Sequence, residues 1–374
     1  MLSLTFRRAT LIASLALTGC SLGPGYYWQA AHGQMSLLAS TRDIGQMRAD
    51  APPALLARLD LAGEIRSFAS RELGLPDNGS YRRYADLGRP FVVWNVFAAP
   101  SLSMHSQEWC LPVAGCVSYL GFFGEADAQA RAAELRAQGF DVHVAGIPAY
   151  STLGWFDDPL LSSFINWPEQ ELARLIFHEL AHQVLYVKDD TEFNESFAAT
   201  VEEAGVRRWL AQPGKEALRE QFERSQVARA DFSALILKAR ESLGQLYASD
   251  LPAADKQVRK RALFDALRSD YQQLKASRWN GFSGYDRWFA QDLNNATLNS
   301  VGLYKALVPD FSALLARQGG DLPAFYAEVE RLGKLPEQER RAALARGGEP
   351  PATAAAGGPA SDQGTSARTR NTVR

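Results

Sequence analysis

The chain has 374 residues, close to half of them hydrophobic, with 40 Lys and Arg set against 42 Asp and Glu. That length can bury a sizeable core and supports up to two subdomains. A formal net charge of −2 excludes the basic footprint of a nucleic-acid-binding protein, and the chain carries no internal repeat.

At the N-terminus, Arg7 and Arg8 precede a short apolar run over residues 11–17, too short to span a bilayer. The run closes on Leu17-Thr18-Gly19-Cys20, which resembles the lipobox of bacterial lipoproteins. The resemblance implies a signal peptide over residues 1–19 and lipidation of Cys20, a chain anchored to a membrane and not spanning it. Ser21 stands where an inner-membrane retention signal would carry Asp, so the resemblance implies an outer-membrane lipoprotein facing the periplasm. An ordinary signal peptide with a chance Cys is the other reading. Residues 20–33, rich in Gly and aromatics (Tyr26, Tyr27, Trp28), read as a tether whose rings pack on the body or rest near the lipid surface.

Leu55, Leu56, Leu59, Ile65, Phe68 and Ala69 recur at helical spacing, with Pro52-Pro53 as a start signal and Gly74 as a stop. After the turn cluster at 75–80, residues 91–97, 116–123 and 140–147 are rich in aromatic and β-branched residues and predict strands. An Ala-rich helix is predicted over 125–138. If Cys20 is lipidated, Cys110 and Cys116 remain as an even pair, with Pro112 and Gly115 to help the intervening chain turn. In an oxidising compartment this predicts a disulfide; two buried thiols are the alternative. Residues 150–159 read as the last extended piece, an edge strand.

Trp167-Pro168 opens a helix running to about Val187, and Lys188 to Thr191 breaks it ahead of a second helix over 192–210. Residues 215–332 keep helical spacing throughout, interrupted at 281–289. The polar run Leu293-Asn294-Asn295-Ala296-Thr297-Leu298 fits either a cleft-facing role or buried amides tying helices together. Residues 333–374 drift into Ala, Gly, Pro, Ser and Thr, predicting a disordered tail. The expected architecture is therefore α+β: a small N-terminal mixed sheet with helices (34–160), then a metal-binding helix pair and a mostly helical C-terminal subdomain (161–332).

Two of the five histidines, His178 and His182, sit four apart on the first helix of that pair. That spacing puts both imidazoles on one helix face, aimed at one point, while Glu179 projects from an adjacent angle. His-Glu-x-x-His is the zinc-hydrolase arrangement, with the Glu as general base toward a metal-activated water. A catalytic zinc takes three protein ligands and an open position. Glu195, thirteen residues beyond His182, supplies the third. Glu202, seven residues further on the same helix face, is the rival ligand, or a residue that orients a ligand His through its ring N–H.

His-Glu-x-x-His followed by Asn194-Glu195-Ser196-Phe197-Ala198 resembles the gluzincin metallopeptidases, and with the lipobox and the Cys110/Cys116 loop it resembles a family of bacterial aminopeptidase-like lipoproteins. The resemblance covers most of residues 20–332. It implies a zinc-dependent peptidase with a peptide substrate, a strand over 151–155 that borders the cleft and pairs with substrate backbone (an ordinary edge strand being the alternative), and a Tyr or His that stabilises the oxyanion. Tyr285 and Tyr304 are the candidates, with core packing the alternative for each. The twelve-residue connection 183–194 is shorter than usual in that group, and no Gly-x-Met-Glu-Asn element is present to hold a free amine. Hydrolysis of peptide bonds is implied more firmly than exopeptidase specificity. A non-catalytic envelope scaffold with a structural zinc site and a hydrolase of peptidoglycan cross-links stay open. The oligomeric state has no signature in the chain.

Overall fold

A computed structural model describes residues 22–111, 115–149, 152, 154–301 and 306–347. Helix α1 (Pro24–Ala39) comes first, then β1 (Arg42–Asp43), α2 (Ile44–Met47) and α3 (Pro53–Leu73). Pro53 occupies the first turn of α3, where a missing N–H costs nothing, and Gly74 ends the helix at φ 66°. One face of α3 (Leu59, Ala62, Ile65, Phe68, Ala69, Leu73) is buried. The segment expected to be a tether is largely helix. Gln29 of α1 donates to the Gly121 carbonyl at 3.1 Å and accepts from the Phe123 N–H at 3.0 Å, and Tyr26 packs edge-on against Phe122.

The β region follows as β2 (Arg83–Ala85), β3 (Val93–Pro100), β4 (Trp109–Leu111), β5 (Gly115–Val117), β6 (Tyr119–Phe122), α4 (Glu125–Ala137), β7 (Phe140–Ile147) and β8 (Leu160–Leu161). The three predicted strand runs assemble as an antiparallel β6-β3-β7 sheet. Trp94, Val96 and Ala98 alternate toward Ala128, Ala132 and Leu135 of α4, the period-2 pattern of a strand with one face on a helix. A smaller β1-β2-β8 sheet contains the parallel pair β2/β8, and β4/β5 form a hairpin. Cys110 lies opposite Cys116 across that hairpin and the two are joined by a disulfide. The edge strand expected over 150–159 does not form among the described residues: a turn closes there, with the Trp155 N–H donating to the Thr152 carbonyl at 3.0 Å.

The remainder is helical: α5 (Glu169–His182), α6 (Thr191–Leu210), α7 (Glu216–Ala248), α8 (Ala253–Ser277), α9 (Asp286–Phe289), α10 (Asn295–Ser300), α11 (Val308–Arg317), α12 (Leu322–Gly333) and α13 (Glu337–Ala345). The architecture is α+β, as expected, with a mostly helical C-terminal part. The main core joins α3, α5, α6, α11, α12 and α13, while α7 and α8 form a hairpin with a core of its own around Phe232, Phe264 and Tyr271. Helix α13 corrects the tail that was expected to be disordered from 333. Ala343 and Leu344 are fully buried, and Arg340 is buried against Asp190. Composition over 333–374 is dominated by its last stretch and hides this short amphipathic turn; residues 348–374 lie outside the described residues. No helix among the described residues is long and apolar enough to cross a membrane.

Asn295 links the helical part to the sheet. It is fully buried, its Nδ2 donating toward the carbonyls of Pro100, Ser101 and Ser103 at 3.0–3.2 Å, while its Oδ1 accepts from Tyr247 Oη at 2.8 Å. The polar run singled out in the sequence thus ties elements together. Asn295→Ala strands these groups without partners, and we expect a loss of about 2–4 kcal/mol in chemical denaturation. A loss below about 0.5 kcal/mol would show that water replaces the amide at no cost.

Candidate metal centre

Helix α5 buries Leu172, Ala173, Ile176, Phe177, Leu180 and Ala181 against the main core. His178 and His182 occupy the neighbouring face one turn apart, with rings at 4.8 Å and nearly perpendicular. Helix α6 crosses close by because Gly205 permits it: a Cβ there would fall 2.8 Å from the Phe177 ring. This close packing is what makes the short connection workable. Within it, Asn194 accepts from the Val187 N–H at 2.8 Å and donates to the Val187 carbonyl at 2.7 Å, and the Asp190 side chain caps α6 by accepting from the Phe193 N–H. The Asn of the Asn-Glu element therefore braces the loop, and the Glu beside it points at the histidines.

The two Nε2 atoms are 3.2 Å apart, and Glu195 places Oε2 and Oε1 at 3.4 Å from His178 and His182 Nε2 respectively. Donors about 2.0–2.1 Å from a tetrahedral ion are separated by roughly 3.3–3.4 Å, so the set has the dimensions of a metal site. His178, His182 and Glu195 form a group that could hold a metal ion. The electrostatics agree. Burial alone would lower the His178 pKa, but hydrogen bonds to Glu195 and Glu202, with the charges of Glu202 and Glu179, raise it to about 10. Burial works to raise the Glu195 carboxyl, and its bonds to the two imidazoles outweigh that and hold it well below the usual carboxylate range. Three carboxylates around two imidazoles favour a positive charge between the donors.

Glu202 stands outside that group of three. Its Oε2 accepts from His178 Nδ1 at 2.9 Å, which directs Nε2 toward His182 and Glu195, and its Oε1 accepts from Arg174 Nε. This is the usual outer partner of a ligand histidine. His182 lacks one: its Nδ1 is buried and unpaired among the described residues. We expect Glu202→Gln to weaken metal binding by about 10–100-fold in chelator competition. An unchanged affinity would remove Glu202 from the site.

Glu179 is half-buried beside the donors, has no hydrogen-bond or ion-pair partner among the described residues, and its charge is felt by His178 and by the buried Tyr81 phenol. Burial, then the charges of Glu179 and Asp158, raise Tyr81 well above its ordinary value. Tyr81 also holds φ at 64°, in the left-handed region that a bulky side chain rarely adopts. Half-exposed Tyr186, four residues after His182, is raised by burial and by the charges of Glu195 and Asp189. Sequence reading missed Tyr81, Tyr186 and Arg174. Arg174 had a signal, one turn before His178 on the same face; Tyr81, a hundred residues upstream in a turn cluster, had none. Tyr285 does not join the donors. Its ring stacks on Phe232 at 4.0 Å in the helical-hairpin core, and burial, opposed by Arg174 and aided by Glu171, pushes its hydroxyl up to about 12. Tyr304 and Cys20 lie outside the described residues.

A family model described as "Putative aminopeptidase" matches residues 25–344, from the first turn of α1 to the last turn of α13. The chain belongs to this family. The matched span takes in the three donors, Glu179, Glu202 and the C-terminal helix, so α13 is part of the family's domain. No curated protein and no solved structure matches the chain.

Proposed function

We propose that this family member is a zinc-dependent peptidase of gluzincin type, lipid-anchored through Cys20 to the outer membrane and facing the periplasm. The observation that carries the reading is the convergence of His178, His182 and Glu195 at 3.2–3.4 Å with an unpartnered Glu179 beside them. His178, His182 and Glu195 would hold the zinc ion, whose chemistry there is to polarise a scissile carbonyl and acidify a water. Glu179, with no competing partner, takes the proton from that water and passes it to the leaving amine. Glu202, itself held by Arg174, keeps His178 in the tautomer whose Nε2 lone pair faces the site. Tyr186, four residues after His182 on the connection that leads to Glu195, is the hydroxyl we assign to approach the developing charge. The Leu17–Cys20 segment supports export and anchoring, and the Cys110–Cys116 disulfide suits an oxidising compartment.

The test uses the full chain purified from membranes. Metal analysis is expected to find about one zinc per molecule. Hydrolysis of a mixed peptide set should disappear on chelation and return with zinc. Peptides with free and acetylated N-termini, compared side by side, separate exopeptidase from endopeptidase action. A chain that binds no zinc, or that cleaves equally well after chelation, overturns the reading.

A further inference from the structure

A cavity of about 470 Å³ lies between α1, the β3 face that carries Val93 and Asn95, and the β4–β5 hairpin. That volume is in the range of sites that take small ligands. Its walls are mostly apolar, with Tyr26, Val117, Tyr119 and Phe156 among them, and two amides, Gln34 and Asn95, break the apolar surface. Asn95 is only 9% exposed, sits mid-strand in β3, and its side chain has no hydrogen-bond partner among the described residues. The Gln34 Oε1 is sealed from solvent, so of the two amides it is Asn95 that an occupant of the cavity can reach. Gly121 keeps Asn95 open to the cavity, because a Cβ there would stand 3.3 Å from the Asn95 Oδ1.

Buried amides without partners are destabilising, and buried polar groups are almost always paired. The Asn95 amide, which offers both a donor and an acceptor at the cavity wall, calls for a ligand that brings the complementary pair into apolar surroundings. A peptide group carrying a bulky apolar side chain has that composition. Two segments beside the cavity also touch the connection between the donors. In the hairpin that contributes Val117, a Cβ on Gly115 would fall 2.8 Å from Asp189 Oδ1. In the loop that contributes Phe156, Gly154 packs against Gln183, where a Cβ would lie 3.6 Å from the Gln183 side chain. Gln183 and Asp189 both belong to the connection that leads from His182 to Glu195. Tyr119 and Phe156 are 41% and 44% exposed, so aromatic rings stand at an opening and not in a sealed core.

We infer that this cavity is a specificity site that accepts an aromatic or large aliphatic side chain of the peptide substrate, with Asn95 pairing to its peptide group. The role in catalysis rests on the peptidase reading; binding does not. The probes are N-acetyl-phenylalaninamide, N-acetyl-glycinamide and laurate, titrated into the zinc-loaded full chain by NMR. Phenylalaninamide is expected to saturate at least tenfold more tightly than glycinamide. That preference should be lost in Ala30→Trp, which fills the cavity from α1, and reduced in Phe156→Ala at the exposed rim, with melting profiles as the folding control. Peptides differing only by Phe or Gly beside the scissile bond should show the same tenfold bias in kcat/KM. Equal binding of the two amides, a preference untouched by both variants, or saturation by laurate alone overturns the inference. If no peptide is cleaved, the peptidase reading falls, and the amide titration still decides the cavity.

Discussion

Glu179→Gln is expected to lower kcat for peptide hydrolysis by about 10²–10⁴-fold while zinc content stays that of the wild type. The two readouts separate because Glu179 is not one of the donors: the three converging side chains are His178, His182 and Glu195. Gln preserves the shape beside the donors but cannot accept the water's proton at neutral pH. The absence of a competing partner for Glu179 among the described residues makes the substitution clean, since no ion pair is broken by it. Replacing His178 or Glu195 by Ala instead should remove metal and activity together. Metal analysis with steady-state kinetics on the same preparations checks this. A Glu179→Gln enzyme within threefold of wild-type kcat would show that the proton goes elsewhere, with Tyr186 the next residue to test. Loss of zinc in that variant would assign Glu179 to the ligand set.

What could be read in advance follows the range of the physics. The His178–His182 pair is legible because a helix repeats every 3.6 residues, so four positions along the chain fix one direction in space. The alternation of Trp94, Val96 and Ala98 is legible for the same reason in a strand. Glu195 could be read only through its neighbour, and the structure gives the reason: Asn194 spends both ends of its amide on Val187, and Glu195 beside it turns to the histidines. Contacts between distant segments had no such signature. Tyr285 lay in an aromatic, Gly-rich interruption that suits a cleft equally well, and only the packing of Phe232 against it shows that the ring is core. Composition misled at the other end of the chain, where a short helix was judged by the company of residues 348–374.

That short helix carries the second large effect. Asp190 is 5% exposed, and its carboxylate faces two arginines of α13: Arg340 Nη2 at 2.5 Å and Arg341 Nη2 at 2.8 Å. The same carboxylate caps the first turn of α6, five residues before Glu195. Arg340 also lies over the Phe193 ring at 5.1 Å. Removing Arg340 leaves the buried Asp190 carboxylate with Arg341 alone, which costs about 2–3 kcal/mol, less than a fully broken buried pair but more than an exposed pair such as Lys334–Glu330. Arg340→Gln is therefore expected to lower Tm by about 3–5 °C by calorimetry. Lys334→Gln, in the same region, should stay within about 1 °C, as its pair is solvent-screened. The loss should not be uniform across the molecule. With Asp190 held by Arg341 alone, the brace on the first turn of α6 weakens, and the helix end that carries Glu195 becomes the first part to fray. Zinc affinity should then fall at temperatures where the Arg340→Gln chain is still folded, and Arg340→Lys, which keeps the charge but not the two-nitrogen contact, should recover part of it. A variant that loses stability but binds zinc with wild-type affinity below its Tm would confine Arg340 to the core and leave the orientation of Glu195 to Asn194 alone.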